Sequence, residues 1–218
     1  MKYLIITKKI WNKESVKYRK LKSKILNKLE FNLIEKLKPD RIYLIHWSKI
    51  IDERIFKRYD CIQFHCSNLP KFKGGSPVQN QIINGINKTK LTGFKVVKKI
   101  DSGDICFTRN INLNGNAEEI YKRIENMSFN AILGPLNKKK LNFVSQKGKS
   151  SFYTRRTPSE SKITKEINNT KNLYDFIRML DADTYPKAFL DIKNFKIELY
   201  NAKYKKKHIY GNFIIKKK

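Results

Sequence analysis

Apolar residues recur along this chain with two different periods, and each switch between them predicts an element. Tyr3, Leu4, Ile5 and Ile6 make an unbroken run, the pattern of a buried core strand at 3–7. Across 13–36, Val16, Leu21, Ile25, Leu29, Leu33 and then Leu37 return at three- to five-residue steps. That spacing predicts helical segments with a basic outer face, ended by Pro39-Asp40. Runs at 41–46 and 61–66 read as further strands, with a short helix at 51–56 between them. Strands separated by helices require crossover connections and so a parallel sheet covered on both faces. Ligands in such sheets bind beyond the carboxyl ends of the strands, where His46 and His65 fall.

Further along, 79–85 reads as a helix closed by Gly85. Strands at 90–99 and 105–113 are joined by the turn Asp101-Ser102-Gly103-Asp104. Asn116 can cap a long helix through Ile120, Ile124, Phe129 and Leu133, with Glu118 and Glu119 at the dipole's positive end. The polar, lysine-rich stretch 138–151 then marks a boundary, dividing a core of 1–151 from a small α+β appendage of 152–218. The appendage is expected to hold a helix near 173–180 and short strands near 195–202 and 209–215.

The chain has 218 residues and a formal charge of +29, from 48 Lys and Arg against 19 Asp and Glu. Such a field attracts phosphate, but the lysines are dispersed through the whole length, which suits solvated positions better than one nucleic-acid-binding face. A nucleic-acid partner is therefore not expected. Three cysteines, Cys61, Cys66 and Cys106, with no paired spacing, point to reduced thiols and a cytoplasmic setting. No metal site is expected. No segment approaches the roughly 20 apolar residues that span a bilayer.

Chemistry gathers at His65, within Phe64-His65-Cys66-Ser67-Asn68-Leu69-Pro70, and at Asp101, 36 residues later. Imidazole titrates nearest neutrality when unperturbed, so His65 is the candidate to take a proton from an attacking amine. A carboxylate beside it would orient the ring and stabilise the cation that forms. Cys66 is no nucleophile for this base, because adjacent strand residues point to opposite faces. The loop at Gly74, Gly75 and Ser76 suits close approach of backbone to a ligand.

The segment 64–70, the glycines after it, Gly93 and the Asp-x-Gly-Asp at Asp101 resemble the folate-dependent formyltransferases. The likeness is dense over about 43–123 and thinner over 152–202. It implies a Rossmann-like formyltransferase core with a mainly parallel sheet (1–151, the catalytic domain) and an α+β C-terminal appendage. It also implies 10-formyltetrahydrofolate as formyl donor, His65 as base, Asp101 as its support, and an amide two residues before the histidine as oxyanion donor. That amide is Gln63 here, where the family has asparagine. Folate is expected near Ser48, Lys49, Ile50, Lys99 and Asp101. The run Gly74-Gly75-Ser76-Pro77-Val78-Gln79-Asn80 resembles the branch that formylates nucleotide-linked amino sugars. The expected acceptor is accordingly a dTDP- or UDP-linked amino sugar for surface polysaccharide biosynthesis. Gly74, Gly75, Ser76, Gln79, Asn80, Arg178 and Tyr185 are the expected contacts, and a homodimer is compatible with the chain. Two alternatives stand beside this reading. One is a methionyl-tRNA formyltransferase-like enzyme, disfavoured because that group carries a larger C-terminal nucleic-acid-binding barrel. The other is a non-enzymatic basic nucleic-acid-binding module.

Overall fold

The computed structural model describes residues 1–12, 24–183 and 185–218. They form two compact units, one built from 1–74, 89–111 and 122–152 and the other from 75–88, 112–121 and 153–218. In the first, the short apolar runs become the strands β1 (Tyr3–Thr7), β2 (Lys24–Leu26), β3 (Arg41–Ile45) and β4 (Asp60–His65). Two more, β6 (Lys88–Lys95) and β7 (Ile105–Asn112), follow a two-residue β5 (Lys73–Gly74). Among the described residues the sheet runs in the order β2-β1-β3-β4-β6-β7. β1 pairs in parallel with β2 and β3, and β3 with β4. β6 lies antiparallel to β4, with Thr92 opposite His65. This is the α/β architecture with a mostly parallel sheet that the strand–helix alternation implies.

Side-chain alternation decides what each face carries. Leu4, Ile6, Ile42 and Leu44 share one cluster with Ile34 and Ile55. Ile34 and Ile55 come from the helices α1 (Phe31–Leu37) and α2 (Glu53–Arg58), and both are fully buried. Cys61 belongs to the same cluster, so Gln63 and His65, two and four residues on, project from that face. On the opposite face Tyr43 packs edge-on to Tyr3 at 5.7 Å and against Phe64 at 6.4 Å.

The expectation of helix across 13–36 needs correction. Residues 13–23 lie outside the described residues; of the rest, 24–26 form a strand beside β1 and 31–37 are helical. A four-residue step advances about 400° around a helix, so repeated steps of four drift off one face. The apolar series is thus a poor match to a single helix, and Ile25 is a strand residue.

Arg41 closes one end of this unit. Its guanidinium is 4% exposed and donates to Asp60 at 2.5 Å, to the Lys138 carbonyl at 2.9 Å and to the Lys139 carbonyl at 3.1 Å. The lysine-rich segment after the long helix α4 (Ala117–Leu133) is therefore anchored and not a free linker. Asn116 caps that helix: its side chain accepts from the Glu119 N–H at 2.9 Å while Glu119 accepts from the Asn116 N–H at 3.0 Å.

In the second unit, α3 (Pro77–Ile83) and α5 (Thr170–Leu180) accompany the antiparallel strands β9 (Ala188–Ile192), β10 (Phe195–Lys205) and β11 (His208–Lys217). A short β8 (Phe152–Tyr153) precedes them. Asp181 ties helix to sheet by accepting from the Lys187 ammonium at 2.6 Å and the Asn201 N–H at 2.8 Å. Among the described residues no helix is long and apolar enough to cross a membrane.

Arg41→Leu leaves the Asp60 carboxylate and the Lys138 and Lys139 carbonyls without this donor. We expect a loss of about 3–5 kcal/mol in folding stability, seen as a lower urea midpoint at unchanged m-value. A midpoint within error of wild type would show that the clamp adds nothing.

Candidate active site

Strand β4 ends at His65, and the chain turns at once. The loop beyond is closed from both sides: the Ser67 hydroxyl donates to the Lys71 carbonyl at 2.7 Å, and the Thr92 hydroxyl donates to the Ser67 carbonyl at 2.7 Å. This closure brings the Phe72 carbonyl to 2.7 Å from His65 Nε2. A carbonyl only accepts, so Nε2 carries the hydrogen and Nδ1 is the other face of the ring. Nδ1 lies 3.6 Å from the Asp101 carboxylate, with both side chains 6% exposed. The two residues singled out by sequence therefore meet, at ion-pair distance though beyond hydrogen-bond length.

Asp101 is held against its backbone preference. Its φ is +48°, a left-handed conformation that costs a non-glycine residue of order 1–3 kcal/mol. Three contacts hold it there. Its Oδ2 accepts the Gly74 N–H at 2.8 Å, and the Gln146 amide donates to the Asp101 and Gly103 carbonyls, each at 2.9 Å. Gly103 itself packs so closely that an added Cβ would stand 1.7 Å from the Lys95 carbonyl oxygen. Nearby, the Lys73 ammonium donates to the Ser102 hydroxyl at 2.9 Å. Burial, and then the Lys99 charge, lower the Lys73 pKa, while Asp101 acts the other way. Lys99 thus contributes positive potential beside the site, although its side chain is exposed.

Gln63 projects from the His65 face, and its amide donates to the Trp47 carbonyl at a long 3.4 Å. Trp47 is buried among Ile51 and Val96, and its indole nitrogen has no hydrogen-bond partner among the described residues. Ser48, Lys49 and Ile50 follow as an exposed loop, with Ile50 90% exposed. An apolar floor, an unpartnered buried N–H and an accessible rim fit a flat heterocycle with polar edges, such as a pterin.

The expected acceptor contacts do not gather in this way. Gln79 is fully buried and donates to the Tyr121 hydroxyl at 2.8 Å and the Met179 carbonyl at 3.1 Å. Asn80 donates to the Gly75 carbonyl at 2.9 Å. Ser76, at φ +49°, accepts the Arg156 N–H at 3.2 Å. Gly75 is required sterically, since an added Cβ would stand 2.3 Å from the Arg155 Cα. Arg178 is 5% exposed and donates to Asp175, to the Leu113 carbonyl and to the Gly115 carbonyl at 2.8 Å. Tyr185 stacks on Tyr121 at 5.9 Å. These side chains are engaged inside the second unit, where they shape its interior; only Gly74 of the run takes part in the His65–Asp101 geometry.

A separate cleft of about 360 Å³ opens among the residues that begin β3 and β4, lined by Arg41, Lys57, Lys95, Lys139 and Lys140 with Phe143. It contains neither His65 nor Asp101. The titratable pair His65 and Asp101 meets elsewhere in the unit, at 3.6 Å.

Burial pushes the Cys61 and Cys66 thiols from 9.0 up to about 12. Because these pKa values are raised on folding, their contribution to stability is complete below about pH 9 and is lost as the pH climbs toward 12. At pH 8 the folded protein should alkylate at Cys66 with iodoacetamide far more slowly than free cysteine does. Rapid modification without unfolding would reinstate a thiol nucleophile. Gly103→Ala should displace the Asp101 turn and cut turnover at least tenfold; wild-type turnover would show that the close packing is dispensable.

Comparison with known proteins now bears on this arrangement. The formyl transferase family model matches residues 6–134, and the model for the C-terminal domain of methionyl-tRNA formyltransferase matches 158–216. A methionyl-tRNA formyltransferase structure from Clostridium thermocellum is 35% identical, with TM-score 0.93 and coverage of 100% of both chains. The methionyl-tRNA formyltransferase of Thermosipho melanesiensis is 29% identical over 68% of this chain and 50% of its own length. The bifunctional polymyxin resistance protein ArnA of Wigglesworthia glossinidia brevipalpis is 31% identical over 87% of this chain and 31% of its own. The chain thus spans half or less of the length of these two curated relatives. HypX from Aquifex aeolicus in complex with tetrahydrofolic acid (16% identity, TM-score 0.71, 92% of this chain and 37% of that one) shares the fold alone.

The C-terminal match and the full-length likeness overturn the expected nucleotide-linked amino sugar and favour the methionyl-tRNA formyltransferase-like alternative. The physical reason lies in the second unit, where Gln79, Asn80 and Arg178 bond within the protein. By its sequence and by its fold, the chain belongs to the formyl transferase family.

Proposed function

We propose that this chain transfers a formyl group from 10-formyltetrahydrofolate to the amino group of methionine carried on tRNA. The observation that carries this reading is the likeness to a methionyl-tRNA formyltransferase over the whole of both chains. The +29 charge supports it as well, since a polyanionic acceptor gains from such a field. The Ser48–Ile50 loop, Trp47 and Lys99 would hold the folate, which supplies an activated formyl carbon for the amine to attack.

The residues of this chain handle the proton and the developing charge. A neutral His65 ring, with Nε2–H already directed at the Phe72 carbonyl, takes the amine proton at Nδ1. The cation so formed has the Asp101 carboxylate 3.6 Å away to balance it, and its proton would pass to the folate nitrogen as the formyl carbon–nitrogen bond breaks. Gln63 steadies negative charge on the formyl oxygen. Its bond to the Trp47 carbonyl is weak at 3.4 Å, so the amide can turn to that task at low cost. The division at 151/152 into a catalytic domain and an appendage belongs to this proposal, with the appendage contributing to tRNA contact.

The test is formylation of methionyl-tRNA by the purified protein, run beside a dTDP-linked amino sugar. Turnover with the tRNA and none with the sugar is expected; the reverse would overturn the proposal. Within that assay, His65→Ala should lower kcat about 10²–10⁴-fold and Gln63→Ala about 10²–10³-fold. Unchanged turnover in either variant would remove that residue from the mechanism.

A further inference from the structure

We propose that Gln146 is a positioning residue for the reaction: its amide holds the turn that sets the Asp101 carboxylate against His65. The assignment rests on the formyl-transfer reading above and adds a group that no motif points to. Gln146 arrives by register. Ile105 and Val144 form an antiparallel bridge, exchanging hydrogen bonds of 2.8 and 2.9 Å. Two residues back from Ile105 is Gly103, and two residues on from Val144 is Gln146, so the bridge brings the two side by side.

The amide then uses both of its hydrogens on one turn, one for the Asp101 carbonyl and one for the Gly103 carbonyl, each at 2.9 Å. The amide's orientation is unambiguous. Rotating it by half a turn would set Oε1 against two carbonyl oxygens, which only accept. Oε1 is itself buried and has no hydrogen-bond partner among the described residues. The side chain is thus fixed by its donations, and those fall on the turn that holds Asp101 at its left-handed φ of +48°. The Gly74 N–H restrains the carboxylate of Asp101, and Gln146 restrains its main chain. Without Gln146 the turn is free to relax and the 3.6 Å approach to Nδ1 is no longer enforced.

A double-mutant cycle separates positioning from general support of the fold. Gln146→Ala should lower kcat for formyl transfer about ten- to hundredfold with little change in KM. In an Asp101→Asn background the same substitution should cost less than about twofold, because the carboxylate it positions is already gone. The drop in Tm should be the same in both backgrounds. Equal fold-losses in the two backgrounds, or no loss in the first, would overturn the proposal. Gln146→Glu, which keeps the shape but sets a carboxylate against the two carbonyls, serves if the alanine variant does not fold, and should lose at least as much.

A second reading needs no acceptor. The ¹⁵N shifts of the His65 ring, one of three histidines, should move in Gln146→Ala or Gln146→Glu in the same direction as in Asp101→Asn. Unmoved shifts would overturn the assignment even if methionyl-tRNA proves not to be the acceptor. Absence of turnover in wild type, by contrast, would count against the proposed acceptor and leave this arm to decide the role of Gln146.

Discussion

The site depends on one carboxylate being kept where its own backbone would not choose to put it. Asp101 sits at a left-handed φ, and relaxation to an ordinary conformation would swing Oδ2 away from both the Gly74 N–H and His65 Nδ1. Much of the first unit is arranged around preventing this. The β6–β7 hairpin fixes both ends of the turn, and the Lys95 N–H donates to the Asp104 carbonyl at 2.9 Å. Gly103 lets the turn lie flat on the Lys95 carbonyl. The loop closed by Ser67 and Thr92 aims the Phe72 carbonyl at the other side of the ring. The imidazole is therefore flanked by two acceptors, one neutral and one charged, and which nitrogen handles the proton follows from that asymmetry.

Local, strongly patterned elements were legible in the sequence. The apolar-rich runs at 3–7, 41–46 and 61–66 became neighbouring parallel strands, and the pair His65 and Asp101 came together. Ile25 was not legible, because three strand residues beside β1 carry no alternation to count and its position continues a series spaced like a helix. Gln146 was not legible either. It stands in a polar, lysine-rich stretch where an amide has no distinctive neighbours, and only the Ile105–Val144 bridge gives it a partner. The Phe72 carbonyl belongs to the main chain, and no side-chain motif announces a backbone acceptor.

The acceptor residues show a different limit. Gln79, Asn80 and Arg178 have the polar chemistry of ligand contacts, and spacing alone could not say which way they point. In the fold, Gln79 satisfies Tyr121 and Met179, and Arg178 satisfies the Leu113 and Gly115 carbonyls. Buried polar groups are almost always bonded within the protein, so a polar residue on a largely buried helix such as α3 is as well explained by such bonds as by a ligand. The charge of the chain bears on the proposed acceptor. Dispersed lysines are individually unremarkable, but together they give a field suited to a long polyanion.

The most direct test is single-turnover transfer of labelled formyl from 10-formyltetrahydrofolate to methionyl-tRNA, comparing wild type with Asp101→Asn at saturating tRNA. A rate at least about 100-fold slower in the variant, with tRNA affinity unchanged, is the predicted result. Equal rates would contradict the central role given to the Asp101 carboxylate beside His65.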